Sequence, residues 1–229
     1  MRGTARRLRG VVLHVRDFGD AHRIVEALTA EEGRVSALAR NARASRRRFA
    51  GVLDLFASLE LELAQRPGLW TLEAATLVDA RLGLRTDLER LEHASTCCEA
   101  VRLLVAEHQA APEALEALSA GLDALADGDL AAAAAFWPRL FRAVGIAPDL
   151  SACVRCGGTL ERVGRIDADA GGLTCARCAP VAAASAAATR VLGGAACPDV
   201  ATAVEVEALA MDWVEAQTGK AMRTRRGRT

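Results

Sequence analysis

Val11, Leu13 and Val15 alternate with Val12, His14 and Arg16, the period of two expected of a half-buried strand. Asp17-Phe18-Gly19-Asp20 then makes a turn, and Arg23 to Leu28 predicts a second strand. Glu31-Glu32-Gly33 turns the chain again, and Val35, Ala37 and Ala39 mark a third. The fourth is the clearest: Leu53, Leu55, Ala57, Leu59, Leu61 and Leu63 fall on one face, with Asp54, Phe56, Ser58, Glu60 and Glu62 on the other. After Arg66-Pro67-Gly68, Leu69 to Val78 returns as a fifth. Five short antiparallel strands within about eighty residues predict a small barrel, and the OB-fold is the commonest five-stranded form.

Beyond Gly83 the period becomes helical. Thr86 or Asp87 caps a helix with Leu88, Leu91, Ser95, Cys98, Val101 and Val105 on its apolar side. Pro112 opens a second helix, carrying Leu115, Leu118, Leu122 and Leu125 and closed at Gly128. Asp129 starts a third, which Pro138 kinks or breaks. An Ala-rich helix from about Val181 to Leu192 and a last one holding Val206, Leu209, Trp213 and Val214 complete the series. The fold class is α+β: an OB-fold barrel over 1–80, a helical domain over 81–150, a four-cysteine module over 151–180, further helices of the helical domain over 181–222, and a basic disordered tail over 223–229. Phe136, Trp137 and Phe141 read first as helical core; the other reading is a groove for a partner peptide.

Charge adds a division that hydropathy does not reveal. Formal net charge is zero, yet residues 1–50 hold 12 Arg against 5 acids, and 51–222 hold 13 basic against 24 acidic residues. A basic N-terminal module that meets an anion is thus joined to an acidic body. Arg40, Arg43, Arg46, Arg47 and Arg48 crowd the loop between the third and fourth strands, a density that can neutralise several phosphates. Arg6, Arg7 and Arg9 add to the same DNA-binding expectation. Backbone electrostatics should outweigh base stacking, because the barrel's aromatics are only Phe18, Phe49, Phe56 and Trp70.

The most specific motif is Cys153-Val154-Arg155-Cys156 answered by Cys175-Ala176-Arg177-Cys178, a C-x2-C-x18-C-x2-C spacing. Two such turns bring four thiolates to one tetrahedron, the arrangement of a structural zinc site with no position left open for substrate. A redox pair is disfavoured, since that motif needs one pair beside a βαβ unit. Cys97, Cys98 and Cys197 fall outside the pattern and read as small buried apolar residues. There is no phosphate-binding loop, no zinc-protease helix and no nucleophile elbow, so the expectation is a protein that is not an enzyme. The basic opening is followed only by Val11 to Val15, too short for a signal-peptide core, and no run approaches a membrane span. Reduced thiols and this opening predict a cytoplasmic location.

Gly10 to Asp20, Arg23-Ile24-Val25, Gly33-Arg34-Val35 and Ala39 to Arg43, together with Leu140 to Gly157, resemble the bacterial recombination mediator RecO family. The similarity runs from about residue 8 to 215; Asn41 departs from it, standing where that family usually has Gly, and so does the Ala-rich stretch after Cys178. The resemblance implies binding to single- and double-stranded DNA, annealing of complementary strands, and loading of RecA onto DNA coated by single-strand binding protein. It implies RecR as a partner, RecA as an indirect one, a nucleoid-associated bacterial location, and docking of the acidic tail of single-strand binding protein on the helical domain. Two readings compete: a zinc-ribbon scaffold or regulator that binds proteins and not DNA, and a zinc-dependent enzyme with an open coordination site.

Overall fold

The computed structural model describes residues 5–45, 47–49, 51–65, 69–160, 163–167, 170–179 and 185–226. Five strands, β1 (Ala5–Phe18), β2 (His22–Thr29), β3 (Gly33–Ala39), β4 (Ser58–Ala64) and β5 (Trp70–Asp79), close a barrel in the order β1-β2-β3-β5-β4. Its interior is the alternating face seen in the sequence: Val25, Ala27, Val35, Ala37, Leu59, Leu61 and Leu63 are all buried there. Four junctions are antiparallel; closure is completed by a parallel one, Ala37–Ala39 against Trp70–Leu72.

The starts of two strands differ from expectation, and β1 runs on through Asp17 and Phe18, which the sequence places in a turn. β1 begins at Ala5, well before Val11, because its polar opening is stabilised across the ladder. Arg7 stands opposite Glu62 and Arg9 opposite Glu60, and each pair forms an ion pair. β4 begins at Ser58 because Phe56 is left-handed at φ 68° and turns the chain. The Phe56 N–H donates to Val12 O, and Val12 N–H donates to Ala57 O, so the preceding segment docks on β1 as a loop.

A 3-10 turn at Leu82–Thr86 leads into α1 (Leu88–Leu104), α2 (Pro112–Asp127), α3 (Leu130–Ala133) and α4 (Phe136–Ala143). Asp87 caps α1 by accepting from Glu89 N–H, while Leu88 is 71% exposed rather than part of the apolar stripe. Pro112 sits in the first turn of α2, and Gly128 ends that helix in the left-handed conformation. The third expected helix divides into α3 and α4 at Ala134–Ala135. That leaves Pro138 in the first turn of α4, where its missing N–H has no intrahelical acceptor to forgo. A two-stranded hairpin, β6 (Val163–Asp167) and β7 (Gly172–Cys175), precedes α5 (Ala186–Leu192), α6 (Val200–Thr218) and a last turn, α7 (Arg223–Arg226). The start expected for the Ala-rich helix, at Val181, lies outside the described residues.

The tail expected to be disordered is held as far as Arg226. Met222 is buried, Glu99 accepts from the N–H groups of Arg223 and Thr224, and Arg225 pairs with Asp212 and Glu215.

Barrel and helices share a core. Val11, Leu13, Leu28 and Phe56 leave the barrel interior and pack with Leu84, Val101, Leu118 and Trp137. Arg81 lies at this junction with its side chain 3% exposed, donating to Asp123 Oδ1 (2.7 Å), Phe56 O (2.6 Å) and Ser58 Oγ (2.9 Å). Gly33, at φ 59°, lets the β2–β3 turn meet the α1–α2 connection; a Cβ there would stand 2.1 Å from Gln109 O. Among the described residues no helix is long and apolar enough to cross a membrane.

Candidate nucleic-acid interface and metal centre

The β3–β4 loop is anchored at both ends by apolar side chains. Ala42 and Phe49 are buried in the barrel core. Asn41 takes the left-handed conformation (φ 55°) and donates its N–H to His22 Nδ1. Arg43 N–H donates to Ala21 O, and Ala75 N–H donates to Arg48 O, tying the loop to the β1–β2 turn and to β5. The arginines on this anchored loop are engaged unequally. Arg48 donates to Arg40 O at 2.7 Å and lies over the Phe49 ring at 5.1 Å, while Arg43 donates to Asp20 O. Arg40 and Arg47 are exposed and make no ion pair among the described residues. Arg46 lies outside the described residues.

Arg6, Arg7 and Arg9 are elsewhere. They stand near the start of β1, fourteen residues long, while the loop meets its far end. Each faces a carboxylate: Arg6 pairs with Glu32, Arg7 with Glu62 at 2.7 Å and Arg9 with Glu60 at 3.2 Å. Their charge is largely met within the protein. The barrel's aromatics divide similarly: Phe49, Phe56 and Trp70 are buried, and Phe18 is 48% exposed.

Phe136, Trp137 and Phe141 pack against one another inside the helical core, with ring centroids 5.0 and 6.1 Å apart, and all three are buried. They shape α4 rather than its surface. The opposite face of α4 displays Arg139 and Arg142 along a cleft of about 490 Å³ that also includes Glu113 and Glu116. Their i, i+3 spacing opposite the aromatic stripe was the sequence signal for them.

The four cysteines come together. Cys153, Cys156, Cys175 and Cys178 place their sulfurs within 4.8 Å of one another, a cluster that can hold a metal ion. Each knuckle is built by backbone bonds: Gly157 N–H to Cys153 O, and Cys178 and Ala179 N–H to Cys175 O. Gly157 and Gly171 are left-handed, and a Cβ on Gly172 would strike Val154. Cys175 N–H donates to Cys153 Sγ at 3.2 Å, the main cause of a thiol pKa lowered to about 6. Cys178 is pushed up to about 12, chiefly by its hydrogen bond with Cys156. Clustered sulfurs cannot all ionise without a cation among them. Leu160, Leu173, Cys153 and Cys175 belong to the helical core, so the module is embedded in the body of the protein.

The comparisons with known proteins agree with this architecture. Residues 1–81 match the family model described as Recombination protein O N terminal, and residues 85–194 match Recombination protein O C terminal. The chain belongs to the RecO family. It is 46% identical over 179 residues to the DNA repair protein RecO of Anaeromyxobacter sp. (strain K), covering 76% of this chain and 70% of that one. With the protein of the same name from Symbiobacterium thermophilum identity is 38% over 175 residues, 74% and 69% of the two chains. With that of Myxococcus xanthus it is 33% over 172 residues, 73% and 70%. RecO membership supports a function in DNA repair.

Proposed function

We propose that this RecO-family chain is a recombination mediator that holds DNA by its phosphates on the arginine-rich β3–β4 loop. It binds single and double strands, anneals complementary strands coated by single-strand binding protein, and acts with RecR in loading RecA. The observation that carries this reading is the loop itself: arginines displayed from an anchored turn on a closed barrel, with Arg40 and Arg47 exposed and unpaired among the described residues. Contacts to phosphate leave the bases free to pair, which annealing requires. The acidic tail of single-strand binding protein docks on the outer face of α4, where Arg139 and Arg142 supply the positive charge.

The four-cysteine cluster holds zinc as a structural ion. Sulfurs about 2.3 Å from one tetrahedral zinc lie about 3.8 Å apart, and Cys156 and Cys175 are separated by 3.7 Å. All four positions are filled by protein, so the ion serves the fold and leaves no seat for a substrate.

Annealing of complementary oligonucleotides coated with single-strand binding protein tests the reading, comparing wild type with R46A/R47A/R48A. Annealing by wild type and its loss in a folded variant is the expected result. Annealing that survives the triple change would move DNA off the loop.

A further inference from the structure

The outer face of β1 carries a row that folding does not explain. His14, Arg16 and Phe18 alternate outward, paired across the ladder with Glu26, Ile24 and His22, while Val15 between them packs toward the barrel interior. The row is about 13 Å long. At its Phe18 end stands the β1–β2 turn, on which the basic loop rests through Arg43 and Asn41.

The His14 end is closed by α1. Arg102 holds Glu26, opposite His14, with two hydrogen bonds of 2.7 and 3.2 Å. Three residues earlier on the same helix, Glu99 accepts from Arg223 N–H (2.8 Å) and Thr224 N–H (2.9 Å). Neighbouring positions on one helix face therefore bring Arg223 beside the end of the row. The positive charge of Arg223 reaches His14: after burial and Arg102, it is among the guanidiniums that hold the imidazole pKa below its ordinary value. Arg225 is committed to Asp212 and Glu215, but Arg16 and Arg223 are exposed and make no ion pair among the described residues. Phe18 lies between the basic loop and Arg16 with half its surface in water.

We propose that the outer face of β1 is a track for a single strand of nucleic acid, running from the basic loop to the Arg223 turn. Arg16 and Arg223 hold phosphates along it, and the Phe18 ring stacks an unpaired base. The proposal rests on the DNA-binding reading above and specifies the path the strand takes. A base can stack on Phe18 only when it is unpaired, so the track distinguishes single strands from duplex.

Fluorescence anisotropy with labelled oligothymidine and with a duplex of equal length tests it, using the full chain and variants R16A/R223A, F18A and R40A/R47A. Thermal unfolding serves as the check on folding, since all the substituted side chains are exposed. For R16A/R223A the log–log dependence of affinity on salt should flatten by about 0.7 per arginine. F18A should weaken oligothymidine about fivefold or more and leave duplex binding unchanged. The track is overturned if R40A/R47A flattens the salt dependence while R16A/R223A keeps the wild-type slope, a result that leaves the loop reading intact. It is equally overturned if F18A weakens both DNA forms alike. Wild type that binds neither DNA would overturn both readings together.

Discussion

Arg81 and Phe49 carry more structural weight than their neighbours in the chain suggest. Arg81 is buried and left-handed, and its guanidinium satisfies Phe56 O and Ser58 Oγ at the junction of barrel and helices. Arg81→Ala should lower stability by about 2 kcal/mol, because it strands a buried carbonyl; urea unfolding measures it. Phe49 looks from the sequence like a candidate for base stacking, but it is the apolar anchor of the arginine loop. Phe49→Ala should cost about 3–5 kcal/mol of stability, read by the same unfolding curve, and any loss of DNA binding should follow from unfolding. Neither role was legible in the chain. Each depends on which residue a turn brings opposite, and local periodicity holds no such information. Asn41 is the contrary case: it stands where the family usually has Gly, a position that favours a left-handed turn, and it takes that conformation.

The strands and the cysteine knuckles were the most legible elements, because their cause is local. Alternation placed β3 and β5 closely, and it failed at the start of β4, where a left-handed Phe56 interrupts the same apparent pattern. The extension of β1 was hidden because only Leu8 in it is apolar and buried, and ion pairs to β4 hold the arginines on either side. In the proposed zinc module, Cys175→Ser should abolish zinc binding and lower the melting temperature, and chelation of the wild type should do the same, since affinity for a structural metal is folding free energy. Burial pushes Cys98 up to about 12, so that thiol should stay silent to alkylation until the protein unfolds, as mass spectrometry of labelled peptides would show. The Thr202 N–H, donating to Asp199 at 2.7 Å at the start of α6, holds that carboxyl below its ordinary range. Because the native pKa is the lower one, the stabilisation is complete above the ordinary aspartate range and lost as pH falls through the native value. Asp199→Ala should therefore depress the melting temperature at neutral pH, and the gap from wild type should close in acid.

The molecule as a whole separates its charge. Arg6, Arg7 and Arg9, near the start of β1, are paired with carboxylates, while Arg40, Arg43, Arg47 and Arg48, on the loop that meets the far end of that strand, make no ion pair among the described residues. The sequence announced a basic module but could not distinguish these two sets, because pairing is decided by barrel register. This difference divides the eight arginines expected to bind DNA into five on the loop, of which Arg46 lies outside the described residues, and three already answered by glutamates. The most direct test is the affinity for single-stranded DNA across a salt series, for wild type and for R40A/R47A. Phosphate binding on the loop predicts a steep loss of affinity with salt in wild type, and a slope shallower by about 0.7 per arginine removed in a variant that melts like wild type. A flat wild-type profile, or an unchanged slope in the folded variant, would contradict it.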